Sequence, residues 1–311
     1  MCIRDREIAQ HQGYRPSPEN QNLSVPFYRV QARAIATKVH RDLPPTKFWS
    51  FSSSTPGPTF ETRSGEPLLV EWVNALPSEH FLPMDHTVHG AEADKPTVRT
   101  VVHLHGAKTR PESDGYPEDW IVPGKSSLYF YPNQQDAAML WYHDHALGIN
   151  RLNVYAGLLG AFFVRDGVEE ALNLPKGKYE LPLILYDRLL TREGQLLYPV
   201  SPDPQAAWVP EIFGNAILVN GKLFPYLDVE PRSCLLYTSL QRPRVFARKA
   251  RRARAVDQES CGRRNRDRES CGLNLAEKDT IRHTGSLFRL EYCSPVKSRR
   301  AKRYDLSLIH I

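Results

Sequence analysis

Two stretches of sequence, Thr100-Val-Val-His-Leu-His-Gly106 and Met139-Leu-Trp-Tyr-His-Asp-His145, decide how this chain folds. Each has a hydrophobic body typical of a buried β-strand and ends in a His-x-His pair. Side chains two residues apart on a strand point to the same face of a sheet, so each pair directs both imidazoles to one side. If the two strands are neighbours, four imidazoles converge on one patch, those of His103, His105, His143 and His145.

Imidazole side chains in such an arrangement point to metal binding. Neutral histidine is the commonest metal ligand and suits copper, zinc, iron and nickel. A single His-x-His pair is more often a solvated or hydrogen-bonded pair, but two pairs on similar strands favour a metal site. A catalytic zinc site fits less well, because it generally has three protein ligands with a carboxylate or a thiolate among them. The pattern therefore predicts a cluster of more than one metal ion.

Short strand patterns recur on both sides of the two histidine pairs. Even-numbered positions are hydrophobic from Tyr28 to Ala36, hydrophobic residues alternate over Leu68–Val73, and Asn220-Gly221 is a strong hairpin turn. Further predicted strands are Val101–His105, Ser127–Tyr131, Met139–His143, Leu158–Val164, Tyr179–Tyr186 and Ala216–Val219. Because the sequence has no long amphipathic helix pattern, we predict an all-β fold, a β-sandwich with Greek-key connections.

The composition changes abruptly near residue 233. The chain has 311 residues and a formal net charge of +6, but residues 233–311 hold 19 basic and 8 acidic residues, whereas residues 1–232 are net acidic. The basic segment has few aliphatic residues and no strand alternation, which is typical of disordered chains. Met1–Arg6, Cys234–Ser239 and Leu306–Ile311 resemble translated sequencing adapters. We therefore interpret residues 233–311 as an unrelated tail, artefactual or disordered, and the start of the chain as artefactual.

Two functional readings of the basic tail are disfavoured. Arg242–Arg254 is a basic cluster such as nucleic-acid-binding proteins carry, but no folded scaffold is predicted for it. Cys261 and Cys271, with His283 and Cys293, match no common zinc-site spacing. We predict no nucleic-acid partner. We also predict no membrane span, because no hydrophobic run reaches the ~18 residues that a span needs.

Several motifs of this chain resemble those of the multicopper oxidases, and within that family the bacterial spore-coat laccases and bilirubin oxidases. The resemblance covers about residues 25–232. Its motifs are Thr100-Val-Val-His-Leu-His-Gly106, Ser113-Asp-Gly-Tyr-Pro-Glu118, Tyr131-Pro-Asn-Gln-Gln135 and Leu140-Trp-Tyr-His-Asp-His-Ala-Leu-Gly148. In that family three cupredoxin domains hold one blue copper and a trinuclear copper cluster, so the resemblance implies that this chain is an N-terminal fragment.

The resemblance also implies roles for individual residues. Four histidines are implied copper ligands: His103 for the type 2 copper, and His105, His143 and His145 for the type 3 pair. Asp114 matches an acidic residue thought to deliver protons during dioxygen reduction, although Asp in a Ser-Asp-Gly-Tyr stretch also forms turns. Asp144 lies between two implied ligands, where it either fixes an imidazole or caps a turn.

The resemblance implies four segments in this chain. They are an extension (1–24), a cupredoxin-like Greek-key domain (25–168), the start of a truncated second cupredoxin domain (169–232) and the unrelated tail (233–311). The blue copper site of the family needs a Cys flanked by His, and no His-Cys or Cys-His dipeptide occurs in the chain. Only four of the family's eight cluster imidazoles are matched, so we expect the chain to be inactive by itself.

The resemblance implies that the parent protein is a laccase-like oxidoreductase. It would couple one-electron oxidation of phenolic, pyrrolic or metal-ion donors to four-electron reduction of dioxygen to water, with copper as cofactor. Family members often work outside the cytoplasm or in the spore coat. The alternative is a copper-less or weakly metal-binding cupredoxin that serves as a structural or interaction module. A two-domain copper nitrite reductase is disfavoured, because Asp144 stands where its copper-binding Cys is expected.

Overall fold

The structure, a computed structural model, describes residues 6–201, 209, 211–228 and 303–305. Two short helices are present in these residues, α1 (Asn150–Ala156) and α2 (Gly167–Ala171). The strands are β1 (Tyr14–Pro16), β2 (Ser24–Thr37), β3 (Thr46–Ser50), β4 (Gly57–Arg63), β5 (Leu68–Asn74), β6 (Val102–His105), β7 (Ser126–Tyr131), β8 (Ala138–Asp144), β9 (Leu159–Arg165), β10 (Leu185–Arg188), β11 (Ala216–Val219), β12 (Lys222–Leu223), β13 (Tyr226–Asp228) and β14 (Arg303–Asp305).

A five-stranded sheet forms one layer of the fold. Its order is β1-β2-β5-β7, and β3 pairs with β2 beyond the segment that pairs with β5. Leu68, Val70 and Trp72 of β5 are buried on its inner face, as the alternation of the sequence predicts. The outer face carries a smaller buried cluster that includes Phe27 and Phe130.

A four-stranded sheet, ordered β4-β9-β8-β6, forms the second layer. Strands β6 and β8 are antiparallel neighbours, and their register sets His103 opposite His143 and His105 opposite Trp141. Directly opposed residues of an antiparallel pair point to the same face. The register therefore places the two histidine pairs side by side, as the sequence predicts.

Aromatic side chains join the two sheets into a sandwich. The Trp72 ring lies 5.2 Å from the Tyr142 ring and 6.0 Å from the Phe60 ring, measured between centroids. The indole of Trp72 donates to the Tyr131 hydroxyl at 3.2 Å, and the Tyr142 hydroxyl donates to the carbonyl oxygen of Pro58 at 2.7 Å. The polar tips of Trp72 and Tyr142 are thus paired within the apolar core.

The strand predicted from Tyr28 to Ala36 lies within β2, and its last hydrophobic positions, Ala34 and Ala36, are exposed because this end of β2 leaves β5 and pairs with β3. The other predicted strands agree with the structure within one residue at each end, apart from one prediction that is wrong. The strand predicted over Tyr179–Tyr186 begins only at Leu185. Gly177–Tyr179 forms a 3-10 turn instead, and Pro182 has no N–H to contribute to a ladder.

A small antiparallel sheet of β10, β11 and β12 follows the sandwich in sequence. The predicted hairpin turn at Asn220-Gly221 joins β11 to β12. Both turn residues have positive φ, 48° and 76°, as a two-residue type I′ turn requires. This prediction is therefore confirmed.

The remaining described elements are minor. Helix α2 belongs to a separate unit of the chain, and β13 pairs with β14. Apart from β14, the segment interpreted as a tail (233–311) lies outside the described residues, as do residues 1–5. Neither helix in the described part of the chain has the length and hydrophobicity needed to cross a membrane.

Candidate metal centre

The four histidine rings lie together at the end of β6 and β8. The His103 ring is 5.6 Å from the rings of His105 and His143 and 4.8 Å from that of His145, measured between centroids. The ring nitrogens that His103, His105 and His143 offer all lie within 4.8 Å of one another. The His145 ring is 5.8 Å from the His143 ring and completes the group. The structure thus brings all four sequence-predicted histidines to one patch, and their role as ligands stays a prediction.

Main-chain carbonyl groups orient three of these imidazoles. Nδ1 of His103 donates to the carbonyl oxygen of Asp114 at 2.6 Å, and Nδ1 of His145 donates to that of Gly115 at 3.0 Å. Nδ1 of His143 donates to the carbonyl oxygen of Asp144 at 2.7 Å. A carbonyl oxygen can only accept, so the proton of each neutral ring sits on Nδ1 and Nε2 keeps its lone pair. Such outer hydrogen bonds are the usual way in which proteins orient metal-binding histidines.

His105 faces His143 with Nδ1 rather than with Nε2. Its Nδ1 lies 3.4 Å from Nε2 of His143. At metal–nitrogen bonds of about 2.0–2.1 Å, two ligands on a tetrahedral ion lie about 3.3–3.4 Å apart. The spacing of these two nitrogens, together with the all-imidazole donor set, fits a copper ion without rearrangement of the strands.

Burial favours the neutral, metal-binding form of two of these imidazoles, those of His105 and His143. Burial, with smaller contributions from the neighbouring histidines, lowers the pKa of His143 to about 4, although the hydrogen bond to the main chain of Asp144 raises it. Burial also lowers the pKa of His105, with smaller contributions from His103 and His145. A metal ion therefore does not have to displace a proton from the Nε2 atom of His143 at neutral pH.

Asp114 lies beside His103, in the loop that follows β6. Its carboxylate accepts a hydrogen bond from the Thr109 hydroxyl at 2.9 Å, and its Oδ1 is 3.5 Å from Nδ1 of His103. The side chain is about half exposed (49%), so it can exchange protons with water. The adjacent Ser113 hydroxyl accepts from the main-chain N–H of Phe130 at 3.0 Å, which fixes the loop against β7.

Asp144 points away from the histidine patch, into the sandwich, and is fully buried. Its carboxylate accepts from Thr100, Val101 and Ala146 and contacts no imidazole through an oxygen of the side chain. The sequence left open whether Asp144 caps a turn or fixes an imidazole. The hydrogen bond from the main-chain N–H of Ala146 is such a turn cap. The hydrogen bond from His143 goes to the main-chain carbonyl oxygen of Asp144 and not to its carboxylate. Burial raises the pKa of Asp144 to about 7 against these hydrogen bonds.

Trp141 belongs to the site, although the sequence analysis missed it. Its ring is stacked on the His143 ring at 4.1 Å and on the His105 ring at 5.4 Å, and it is 40% exposed. The signal was present in the sequence, because Trp141 precedes His143 by two residues on the same strand and must share its face.

The sequence of this chain is similar to those of multicopper oxidases and laccases. The sequence profile of the multicopper oxidase family matches residues 93–169, which include all four histidines. The chain is 46% identical over 231 residues to laccases from Bacillus stratosphericus and from Bacillus subtilis (strain 168). Each of these two alignments covers 69% of this chain and 45% of the laccase. A laccase from Haloferax volcanii is 38% identical, over 69% of this chain and 39% of its own length.

Solved structures of a laccase and of a multi-copper oxidase have the same fold as this chain. A laccase from Pediococcus acidilactici, 25% identical, superposes with a TM-score of 0.53 over 72% of this chain and 43% of that chain. A multi-copper oxidase from the same organism, 24% identical, gives 0.57 over 74% of this chain and 42% of that chain. The all-β, cupredoxin-like fold is thereby confirmed. The chain spans about 45% of the length of the Bacillus laccases that it matches.

Proposed function

Because this chain belongs to the multicopper oxidase family, we propose that it supplies half of the histidine ligands of a trinuclear copper centre. The parent protein is a laccase-like oxidase. It couples one-electron oxidation of phenolic, pyrrolic or metal-ion donors to four-electron reduction of dioxygen to water. Its partners are dioxygen and a small-molecule electron donor.

The observation that carries this proposal is the convergence of four imidazole rings, three of which, those of His103, His105 and His143, offer ring nitrogens within 4.8 Å of one another. His103 is the proposed ligand of the type 2 copper through Nε2. His143 and His145 are proposed ligands of the type 3 pair through Nε2, since Nδ1 of each is bonded to a carbonyl oxygen. His105 joins them through Nδ1, the nitrogen that faces His143.

The residues of the chain hold the centre and move protons to it. Copper, when bound, supplies the one-electron redox chemistry that dioxygen reduction requires. The strands β6 and β8 present the imidazoles already oriented, and burial favours the neutral form of His105 and His143, so that little reorganisation accompanies binding. Asp114, half exposed and 3.5 Å from Nδ1 of His103, is the proposed carrier of protons from water to the site.

We further propose the division of the chain that the family implies. Residues 25–168 form the first cupredoxin domain, and residues 169–232 begin a second one. The register of β6 and β8 supports the first assignment, because both histidine pairs lie in one four-stranded sheet.

Copper titration of the purified chain tests the proposal. Wild-type chain should bind Cu(II), and His103→Ala and His143→Ala should each weaken binding by more than the roughly 10–100-fold typical of losing an outer-shell partner. His89→Ala is the matched control, since its side chain is 90% exposed and lies outside the histidine patch. Electron paramagnetic resonance of bound Cu(II) should show nitrogen ligation in the wild type and the control.

Two outcomes would contradict the proposal. Wild-type chain that binds no copper would favour the copper-less structural module instead. Equal copper binding by wild type and the His103→Ala and His143→Ala variants would place the metal elsewhere on the chain.

A further inference from the structure

Asp144 is a fully buried carboxylate, and the one cation shown to interact with it electrostatically among the described residues is the buried Arg99 guanidinium, which forms no direct hydrogen bond with it. A buried charge of this kind is costly and persists only where hydrogen bonds compensate for lost hydration. Donors from Thr100, Val101 and Ala146 do so here, and a side-chain hydrogen bond with Asn153 adds to them. Oδ1 accepts from the Thr100 hydroxyl at 2.7 Å and from the main-chain N–H of Val101 at 3.1 Å, and Oδ2 accepts from the main-chain N–H of Ala146 at 3.1 Å.

These donors explain why the position holds an acid. They require acceptors on both oxygens of the side chain, which only a carboxylate provides. An asparagine has only one acceptor oxygen. Its NH2 group would face either the N–H of Ala146 or the donors of Thr100 and Val101, so that two donors would meet without an acceptor. The bonds therefore specify Asp rather than a generic polar residue.

The donors from Thr100, Val101 and Ala146 lie on the two chain segments that carry the histidine pairs, whereas Asn153 lies on α1. Thr100 and Val101 precede β6, whereas Ala146 follows His145 and lies two residues beyond the end of β8. Ladder pairing of β6 with β8 fixes His143 opposite His103 but stops at Asp144. The position of His145 depends on bonds beyond the ladder, namely its N–H to the carbonyl oxygen of Val101 at 2.7 Å and the carboxylate of Asp144.

We propose that Asp144 is a positioning residue that fixes the His145 imidazole against His103 by tying the start of β6 to the chain after β8. This inference rests on the proposed copper-binding function. It adds that the spacing of the two histidine pairs is set from inside the sandwich, by a residue that contacts no metal.

The test compares Asp144→Asn with Asp166→Asn in the full chain. Asp166 is the control, because its carboxylate accepts the main-chain N–H of Ala137 at the opposite end of β8, away from the histidine patch. Without metal, nitrogen-15 spectra of the histidine rings should show His145 protonated on Nδ1 in the wild type and in the control. Asp144→Asn should lose this preference at His145 while His143 keeps it. With Cu(II), Asp144→Asn should bind about 10–100-fold more weakly and with altered nitrogen hyperfine structure.

The metal-free arm separates this inference from the proposed function. If wild type binds no copper, the ring spectra still decide whether Asp144 orients His145. An Asp144→Asn chain that is folded and matches wild type in ring spectra and in copper affinity would overturn the proposal. If Asp144→Asn does not fold, Thr100→Val removes the hydroxyl donor of Thr100 and keeps the carboxylate. That variant should show a smaller change confined to His145, and no change there would equally overturn the proposal.

Discussion

Nδ1 of His103 donates to the main-chain carbonyl oxygen of Asp114 at 2.6 Å, so the orientation of a proposed copper ligand depends on the backbone of a loop. The main-chain carbonyl oxygen of the next residue, Gly115, accepts a hydrogen bond from Nδ1 of His145. One dipeptide therefore sets the tautomer of one ring from each histidine pair. A change in the path of this loop acts on both rings at once.

Gly115→Ala should disturb that loop. Gly115 has a φ of +79°, and a Cβ there would lie 2.3 Å from the carbonyl oxygen of Val102, at the start of β6. We expect a loss of more than the roughly 1–3 kcal/mol that a left-handed non-glycine residue costs, together with weaker Cu(II) binding. The measurement is urea unfolding combined with copper titration.

Gly124→Ala is the control for Gly115→Ala. Gly124 has a similar φ of +83°, but a Cβ would meet no atom within 4 Å. It should show the conformational cost alone and unchanged copper binding. Equal effects of the two substitutions would mean that close packing of Gly115 on β6 does not matter for the site.

The convergence of the histidines could be predicted from the sequence because it depends on two local rules. The two-residue period of a strand orients each pair, and the hydrophobic bodies before His103 and His143 mark two buried strands. The hairpin at Asn220-Gly221 was equally local, since its turn residues require positive φ. Such features need no knowledge of distant contacts.

Features that depend on contacts between distant segments could not be read in this way. The carbonyl groups of Asp114 and Gly115 reach their histidine partners across a loop of irregular backbone. Strand alternation predicts that the side chain of Asp144 points to the face opposite the imidazoles. It does not predict the hydrogen bond from Thr100, because that residue lies 44 positions away in the sequence. The pairing of Ala34 with β3 rather than β5 depended on tertiary contacts that the hydrophobic pattern does not encode.

Trp141 should report copper binding through its fluorescence. Its ring lies 4.1 Å from the His143 ring, so a paramagnetic Cu(II) ion on that imidazole is close enough to quench it strongly. Wild type should lose emission on addition of Cu(II), and Trp141→Phe, which retains a stacking ring, should lose much less. Trp120→Phe is the control and should keep the quenching. Identical quenching in Trp141→Phe and wild type would argue against metal beside His143.

Tyr142→Phe should destabilise the sandwich with little effect on copper binding. The Tyr142 hydroxyl is fully buried and donates to the carbonyl oxygen of Pro58 at 2.7 Å. Its removal leaves that carbonyl without this donor, at a cost of about 1–3 kcal/mol. Urea unfolding measures the change. Tyr14→Phe, at an exposed position, should change stability by less than about 0.5 kcal/mol, and a similarly small effect at Tyr142 would mean that water replaces the lost bond.

His80 should make the folded chain sensitive to mild acid. Its ring packs on Trp49 at 4.0 Å and on Phe81 at 5.5 Å, and burial lowers its pKa from 6.5 to about 4. Nδ1 of His80 accepts from the main-chain N–H of Leu82 at 3.0 Å, so protonation would replace an acceptor with a donor there. His80 therefore binds a proton less readily in the folded state than in the unfolded state.

The sign of the effect follows from these two pKa values. Above pH 6.5 the ring is neutral in both states and contributes no pH dependence. Between pH 6.5 and about 4 only the unfolded state is protonated, so the free energy of unfolding falls as the pH falls. Between pH 7 and pH 5 wild type should lose about 1–2 kcal/mol more than His80→Gln, which cannot titrate. Urea unfolding at the two pH values measures this difference, and His11→Gln, at an exposed position, should behave as wild type. An equal loss of stability in wild type and His80→Gln would show that other groups carry the acid sensitivity.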